Sequence, residues 1–501
     1  MANSMLWRRA ALAILLMLGF YSLALIVVAV LAYLPYAEIQ YADRVDLRLL
    51  LFSGAGVIGI LTAIAPRVDR FPNPGPALLS QQHPALFKLI EDTAVATEQP
   101  LPRHVYLVPE FNAWVAQRGG LMGIGSERVM GLGLPLLHAL TVREFHAVLA
   151  HEFGHFYGGD TALGPWLYKT RAAIERTIAN LSNRPTVLRK PFEWYGLAFL
   201  RITHGVSRQQ EFAADALAAR LVGGDALVSG LTTIHGMGQA FTPYWDQEIA
   251  PALSVGLRLP ILDGFRQFVA TPNIARAIEE SLKDQLAQEQ GDPLDTHPPL
   301  KERIAAVPHS GLPASPDPEP RAISLLTDHD GLEQELIKAL LPVDAASPAA
   351  ITWSESAGRV WLPSFTEIVE KNRNRLAGLR PEELSRYADA PAELAVRFKL
   401  AARADVASPH HVSQAQYLAG TALSLVLTGR GFELVSSPGA NFRLTKGNLV
   451  IHPFELIDNL HDKTMSPADW ERQLTEAGIL GLDLGSEALN NPPKPEGQGA
   501  A

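Results

Sequence analysis

From Ala10 to Tyr36 the chain carries no charged side chain and is rich in Leu, Ile, Val and Ala. That run exceeds the ~20 residues a helix needs to cross the hydrocarbon core of a bilayer. In hydrocarbon every backbone N–H and C=O must find a partner within the segment, so a helix is the only form an isolated span can take. A second uncharged run, Leu49 to Pro66, is just long enough to return. The connection between them holds Glu38, Asp43, Arg44, Asp46 and Arg48, which keep it in water. Residues 1–70 therefore read as a transmembrane hairpin with spans at about 10–36 and 49–66. Arg8 and Arg9 precede the first run, and Arg67 and Arg70 follow the second. By the positive-inside rule both ends, and with them the rest of the chain, stay in the cytoplasm. Val30-Leu31-Ala32 is a passable signal-peptide cleavage site, but the apolar core is longer than a signal peptide's and a second span follows directly.

The next constraint is His151-Glu152-Phe153-Gly154-His155. On a helix, positions i and i+4 lie one above the other, so both imidazoles can hold one metal ion. Glu152 is rotated about a quarter turn and flanks that metal, where a general base must sit to take a proton from metal-activated water. Thr141 and Glu144 read as a capping box that starts the helix, and Gly158-Gly159 as its stop. The pentapeptide alone also fits a surface helix with two unrelated histidines, so context decides.

A hydrolytic zinc site needs three protein ligands and one open position. The chain has no cysteine, so the third ligand is His, Asp or Glu. The best candidate lies in Ser207 to Arg220, where Ser207 and Gln210 read as another capping box and Gly223-Gly224 as the stop. Glu211 and Asp215 are again i and i+4, on a face whose alanines permit close helix approach. On the functional reading Glu211 completes the zinc site and Asp215 accepts a hydrogen bond from the outer nitrogen of a ligating histidine. On the plain one they are two solvated acids of an amphipathic helix. Further on, His297-Pro298-Pro299 presents an imidazole from a stiff, extended segment, suited to an oxyanion or simply to a loop.

Taken in order, His-Glu-x-x-His, Ser-Arg-x-x-Glu-Phe-x-Ala-Asp and Thr-His-Pro-Pro-Leu-x-x-Arg-Ile make the chain resemble the M48 zinc metallopeptidases, the group of the heat-shock membrane protease and the CAAX prenyl endopeptidase. Asn112-Ala113 is a fourth match, and the resemblance covers roughly Arg67 to Pro308. It implies His151, His155 and Glu211 as zinc ligands, Glu152 as catalytic acid/base, Asp215 in support and His297 in a transition-state role. It further implies Asn112 at the substrate rim and a structural role for Arg303. The fold it implies is α+β: a mostly helical gluzincin-type protease domain with a small β-sheet, in a bacterial inner (cell) membrane. Family members that form membrane chambers carry many spans; with two, this chain is similar to the simpler anchored proteases. The substrates so implied are polypeptides, misfolded membrane proteins among them.

His104 to Val108 and Arg128 to Leu132 read as short strands flanking an Asn112 loop, and an exposed strand edge there suits extended substrates. The expected division is a protease domain at 71–307, a Pro-rich linker at 308–321, a C-terminal α+β region of unassigned role at 322–489 and a disordered tail at 490–501. A net charge of −9 with no basic patch argues against nucleic acid as a partner. The rival reading is a non-catalytic membrane scaffold braced by a structural zinc, which leaves Glu152 without a task.

Overall fold

The computed structural model describes residues 2–42, 46–120, 125–156, 164–182, 185–287, 298–308, 319–342 and 344–490. The chain divides into two compact units, Met1–Gly238 with Glu279–Val343, and Gln239–Ile278 with Asp344–Ala501. Residues 239–278, which precede the Pro-rich stretch in sequence, thus group with the C-terminal region. Most of that stretch, and the tail after 490, lie outside the described residues.

The first unit runs α1 (Ala2–Ala42), α2 (Leu47–Ile64), β1 (Ala77–Leu78), α3 (Pro84–Ala96), β2 (His104–Val108), β3 (Ala113–Arg118), β4 (Glu127–Gly133), α4 (Leu134–Ala139), α5 (Val142–Gly154), α6 (Gly164–Asn180) and α7 (Thr186–Leu221). Ile14–Tyr41 and Leu47–Ile64 are both long and apolar enough to cross a membrane. α1 outruns the expected span because nothing in Ala37–Ala42 breaks a helix, and α2 starts where Asp46 accepts the Arg48 N–H at 2.8 Å. One side of this hairpin exposes Leu15, Leu18, Ile26, Leu51 and Ile58, an apolar surface suited to lipid. The other packs Phe20, Leu31 and Ile60 against Ile174 of α6 and Phe192 and Phe199 of α7. Asn180 Nδ2 also donates to the Gly59 carbonyl at 2.9 Å. Tyr195 of α7 packs against the same cluster, and its hydroxyl donates to the Leu16 carbonyl.

The sheet order is β1-β2-β4-β3, with β2 and β4 parallel and β3 antiparallel to β4, so β3 is an edge strand. Sequence reading places a loop around Asn112; the structure instead begins a strand at the next residue. Ala113-Trp114-Val115-Ala116 lacks alternation, because Trp114 lies across Gly131, where any Cβ would collide with the indole.

α5 has the expected start. Thr141 Oγ1 accepts the Glu144 N–H at 3.2 Å and Glu144 Oε2 accepts the Thr141 N–H at 2.8 Å. It ends at Gly154, with His155 as C-cap in αR conformation, earlier than the glycine pair suggested. Gly158 and Gly159 lie outside the described residues. α7 corrects the expectation more strongly: Ser207 starts nothing, because the helix has run since Thr186, held by its apolar packing on the hairpin. Its stop is as read, Gly223 taking φ +120°. α5 and α7 meet through small residues. Ala147, Ala150, Ala218 and Ala219 are buried together, and a Cβ at Gly154 would lie 2.9 Å from Ala214 Cα.

In the second unit Phe241, Tyr244, Phe265 and Phe268 are buried, while Trp245 is half-buried. Leu257–Arg258 pairs in parallel with Ala349–Ala350, and Trp353 Nε1 donates to the Pro260 carbonyl at 3.1 Å. These contacts recruit 239–278 into this unit. Its centre is the helix Pro409–Gly429, beside a three-stranded meander of Glu433–Val435, Arg443–Lys446 and Leu449–Ile451.

Candidate metal centre

The site is built where α5 crosses α7. His151 Nε2 and His155 Nε2 are 3.2 Å apart. Glu211 reaches in from α7, with Oε2 3.6 Å from His151 Nε2 and Oε1 3.6 Å from His155 Nε2. Donors about 2.0–2.1 Å from a tetrahedral cation stand about 3.4 Å from one another. The three edges observed straddle that value. A hydrogen bond between the imidazoles would satisfy one edge, whereas a shared cation satisfies all three. The donor set of two imidazoles and a carboxylate therefore fits a metal ion such as zinc.

Glu152 lies in the same cluster, its carboxylate within 4.8 Å of the two imidazole nitrogens. It projects from α5 itself, beside rather than across the metal position. His151 and Glu211 are buried, while Glu152 and His155 are half-buried, so the cluster opens on the Glu152 side.

Behind the histidine stands Asp215, one turn along α7 from Glu211. His151 Nδ1 donates to Asp215 Oδ1 at 2.9 Å, which places the proton on Nδ1 and the lone pair on the metal-facing Nε2. Asp215 also takes a bidentate pair of bonds from Arg303, at 2.9 Å from Nε and 2.7 Å from Nη2. Burial alone would raise the Asp215 carboxyl. The hydrogen bonds from Arg303 and then His151 outweigh it and bring the pKa down to about 2. Burial works against the Arg303 cation in the same way, and the Asp215 bonds more than restore it. The charge distribution is thus fixed before any metal arrives.

Arg303, to which the resemblance gives a structural part, reaches both acids of α7. Its Nη1 is 3.5 Å from Glu211 Oε2, so one guanidinium braces both acids of α7. Leu300, Ile304 and Val307 mark the apolar face of the helix Leu300–Ala306, and Arg303 falls on that face. A charge on an apolar stripe is the signal that could have singled it out. Its neighbour Glu302 binds Arg208 of α7 at 2.7 Å.

Asn112 stands exposed at the mouth of the edge strand, with its Oδ1 turned back to accept the Ala113 N–H at 2.9 Å. Gly133 must be glycine here, since a Cβ would lie 2.1 Å from the Glu110 carbonyl oxygen. β3 is tied down at its far end, where Arg118 Nε and Nη2 both donate to Asp69 at 3.1 Å. His297 lies outside the described residues, although Pro299 is extended as expected and caps the Arg303 helix.

Residues 80–310 match peptidase family M48. The chain is 27% identical over 313 residues to "Protease HtpX" of Cellvibrio japonicus, covering 57% of this chain and 94% of that protein. It is 28% identical over 242 residues to "Protease HtpX homolog" of Paenarthrobacter aurescens, covering 45% and 71%. A third relative, "Protease HtpX" of Idiomarina loihiensis, is 30% identical over 173 residues, 31% of this chain and 58% of that protein. No solved structure matches. The matched segment spans every residue of the cluster, from the edge strand through His151, His155, Glu211 and Asp215 to Arg303, and over that segment the chain is similar to peptidase family M48.

Proposed function

We propose that the chain is a membrane-anchored zinc endopeptidase with its active site on the cytoplasmic side of a bacterial inner membrane. The observation that carries this reading is the triangle of His151 Nε2, His155 Nε2 and the Glu211 carboxylate, with edges of 3.2, 3.6 and 3.6 Å. These three side chains would hold the zinc. When bound, zinc polarises a scissile carbonyl and lowers the pKa of a water molecule toward neutrality. Glu152 accepts the proton of the attacking water and delivers it to the leaving amine nitrogen, acting first as base and then as acid. Asp215, held by Arg303, keeps His151 in its ligating tautomer. By the family resemblance, His297 steadies the oxyanion.

The edge strand β3 supports the substrate assignment. Its unpaired N–H and C=O groups can take an extended polypeptide as an added strand, which fixes the backbone and leaves side chains free to vary. Asn112, at the entry to β3, would hold the chain near the metal. Such tolerance suits misfolded membrane proteins, and anchoring by the hairpin would keep the site near the bilayer in which they reside.

Glu152→Gln tests the assignment against a scaffold with a structural metal. The variant should retain one zinc per chain by elemental analysis and lose cleavage of casein or an unfolded membrane protein by at least ~100-fold, the usual scale of general acid–base catalysis. Undiminished turnover would refute Glu152 as the base.

A further inference from the structure

The second unit has no task assigned above, yet it contains a cavity of about 490 Å³. That is ample for a small organic ligand. Two polar groups, Glu248 and Trp361, stand there beside the neutral Gln247, Ser436, Ser437 and Asn441, and Tyr417, Phe442 and Phe454 form much of the wall, while no Lys, Arg or His lines it. The wall is continuous. Phe442 meets Trp361 edge-on with ring centres 5.3 Å apart, and Phe454 bridges Phe442 and Tyr417 at 5.7 and 5.5 Å.

The backbone around the two polar groups is unusual. Two π-helical turns occur among the described residues, Trp245–Ile249 and Ala357–Trp361, and each delivers one of them. A π-turn gives up regular helical geometry and re-aims the side chains after it, and such turns recur at functional sites. The Trp361 side chain is buried, and its Nε1–H has no hydrogen-bond partner among the described residues. It carries a desolvation penalty that a bound acceptor would relieve. Glu248 Oε1 accepts the Gly439 N–H at 3.0 Å. Gly439 has φ +72° and a Cβ there would lie 3.0 Å from Phe268, so glycine is what lets this loop close. Burial pushes the Glu248 carboxyl up to about 7 against that single hydrogen bond, the behaviour of an acid without a counter-charge.

We propose that this cavity binds an organic ammonium with a hydrogen-bond acceptor beside its charge. The ammonium sits against the Glu248 carboxylate and the aromatic wall, and the acceptor takes the Trp361 Nε1–H. Aromatic rings and a lone carboxylate favour a cation, and the lack of a basic lining residue disfavours an anion. Free amino-acid amides and the amino terminus of a peptide share this chemistry.

Calorimetric titration of the full chain in detergent tests the assignment, with L-phenylalaninamide, its N-acetyl derivative and a phenylalanine-led tetrapeptide as probes. L-phenylalaninamide should bind, and N-acetylation, which removes the charge, should weaken binding about tenfold or more. Glu248→Gln and Trp361→Phe, each checked for an unchanged circular dichroism spectrum, should each weaken L-phenylalaninamide by about tenfold. If one variant fails to fold, the other still decides. Binding of the tetrapeptide as tightly as the amide assigns the site to peptide amino termini, and its exclusion assigns it to free amines. Equal binding of the acetylated probe, wild-type affinity in the folded variants, or no binding of L-phenylalaninamide up to ~10 mM overturns the proposal.

Discussion

Removing Asp215 separates two roles that the structure gives it. In the wild type its carboxylate takes three bonds, from His151 Nδ1 at 2.9 Å and from Arg303 at 2.9 and 2.7 Å, and both Asp215 and Arg303 are buried. Asp215→Leu leaves a buried guanidinium without its main partner, and breaking a buried pair in this way costs about 3–5 kcal/mol. Arg303→Met strands the carboxylate and should cost about as much. The double variant removes both charges together and should regain most of that loss, since apolar side chains of similar volume replace a buried ion pair at little net cost. Zinc affinity should behave differently. His151 lacks its acceptor in Asp215→Leu and in the double variant alike, so both should bind zinc about 10- to 100-fold more weakly than the wild type. Stability is read from thermal unfolding of the metal-free protein, and affinity from competition with a chromophoric chelator. A double variant that recovers stability and wild-type zinc affinity together would refute Asp215 as the group that orients His151.

Other consequences follow from the same geometry. Gly154→Val places a Cβ 2.9 Å from Ala214 Cα, where ordinary contact begins near 3.4 Å. α5 and α7 must separate by about 0.5 Å, beyond the ~0.2 Å tolerance of metal–ligand distances. Overpacking of about 1–3 kcal/mol should appear as roughly 5- to 150-fold weaker zinc binding, and unchanged affinity would show that the helix crossing does not set the site. If β3 receives substrate as an added strand, methylating single backbone nitrogens of a peptide substrate should raise KM several-fold at alternate positions only; a uniform or absent effect would count against strand addition. Glu248 should make stability pH-dependent. Its folded pKa of about 7 lies above the ordinary 4.5, so the folded state holds the extra proton between these values. Its contribution is complete below about pH 4.5 and lost as pH rises through about 7, on the order of 3 kcal/mol in all. Glu248→Gln should flatten that part of the stability profile, measured by thermal unfolding from pH 5 to pH 8, and a profile that keeps its slope would place the titration elsewhere.

What the sequence disclosed follows the range over which each signal acts. The Thr141–Glu144 box and the spacing of His151 and His155 are complete within one or two turns, so they can be read directly. The hairpin is legible because long uncharged runs leave few alternatives. Glu211 and Asp215 share a face by spacing alone, but only the approach permitted by Gly154 and Ala214 makes one a neighbour of both imidazoles and the other a partner of Nδ1. The start of α7 is not legible because Ser207 and Gln210 satisfy a local capping rule while the apolar face of Phe192 and Phe199 continues the helix backward. Tertiary packing overrides a local stop or start whenever it buries more than the cap can offer. β3 is not legible for a related reason: its residues show no alternation, and its strand state depends on pairing with β4 further along the chain.

The two sites differ most in this respect. The metal cluster draws on short motifs whose spacing is fixed by helical geometry, so chemistry and sequence pattern coincide. The aromatic cavity draws on Glu248, Trp361, Tyr417, Phe442 and Phe454, spread over two distant stretches of the chain and set by two π-turns. A π-turn has no residue preference comparable to a cap or a turn glycine, since any helical stretch can absorb one extra residue if packing rewards it. Nothing in 239–278 therefore announces that it belongs with 344–501, and Glu248 reads in sequence as one more acid on a helix. Its unusual state arises only from burial beside Gly439, nearly two hundred residues later. A group whose chemistry is created by such long-range contacts becomes visible only when its surroundings are known.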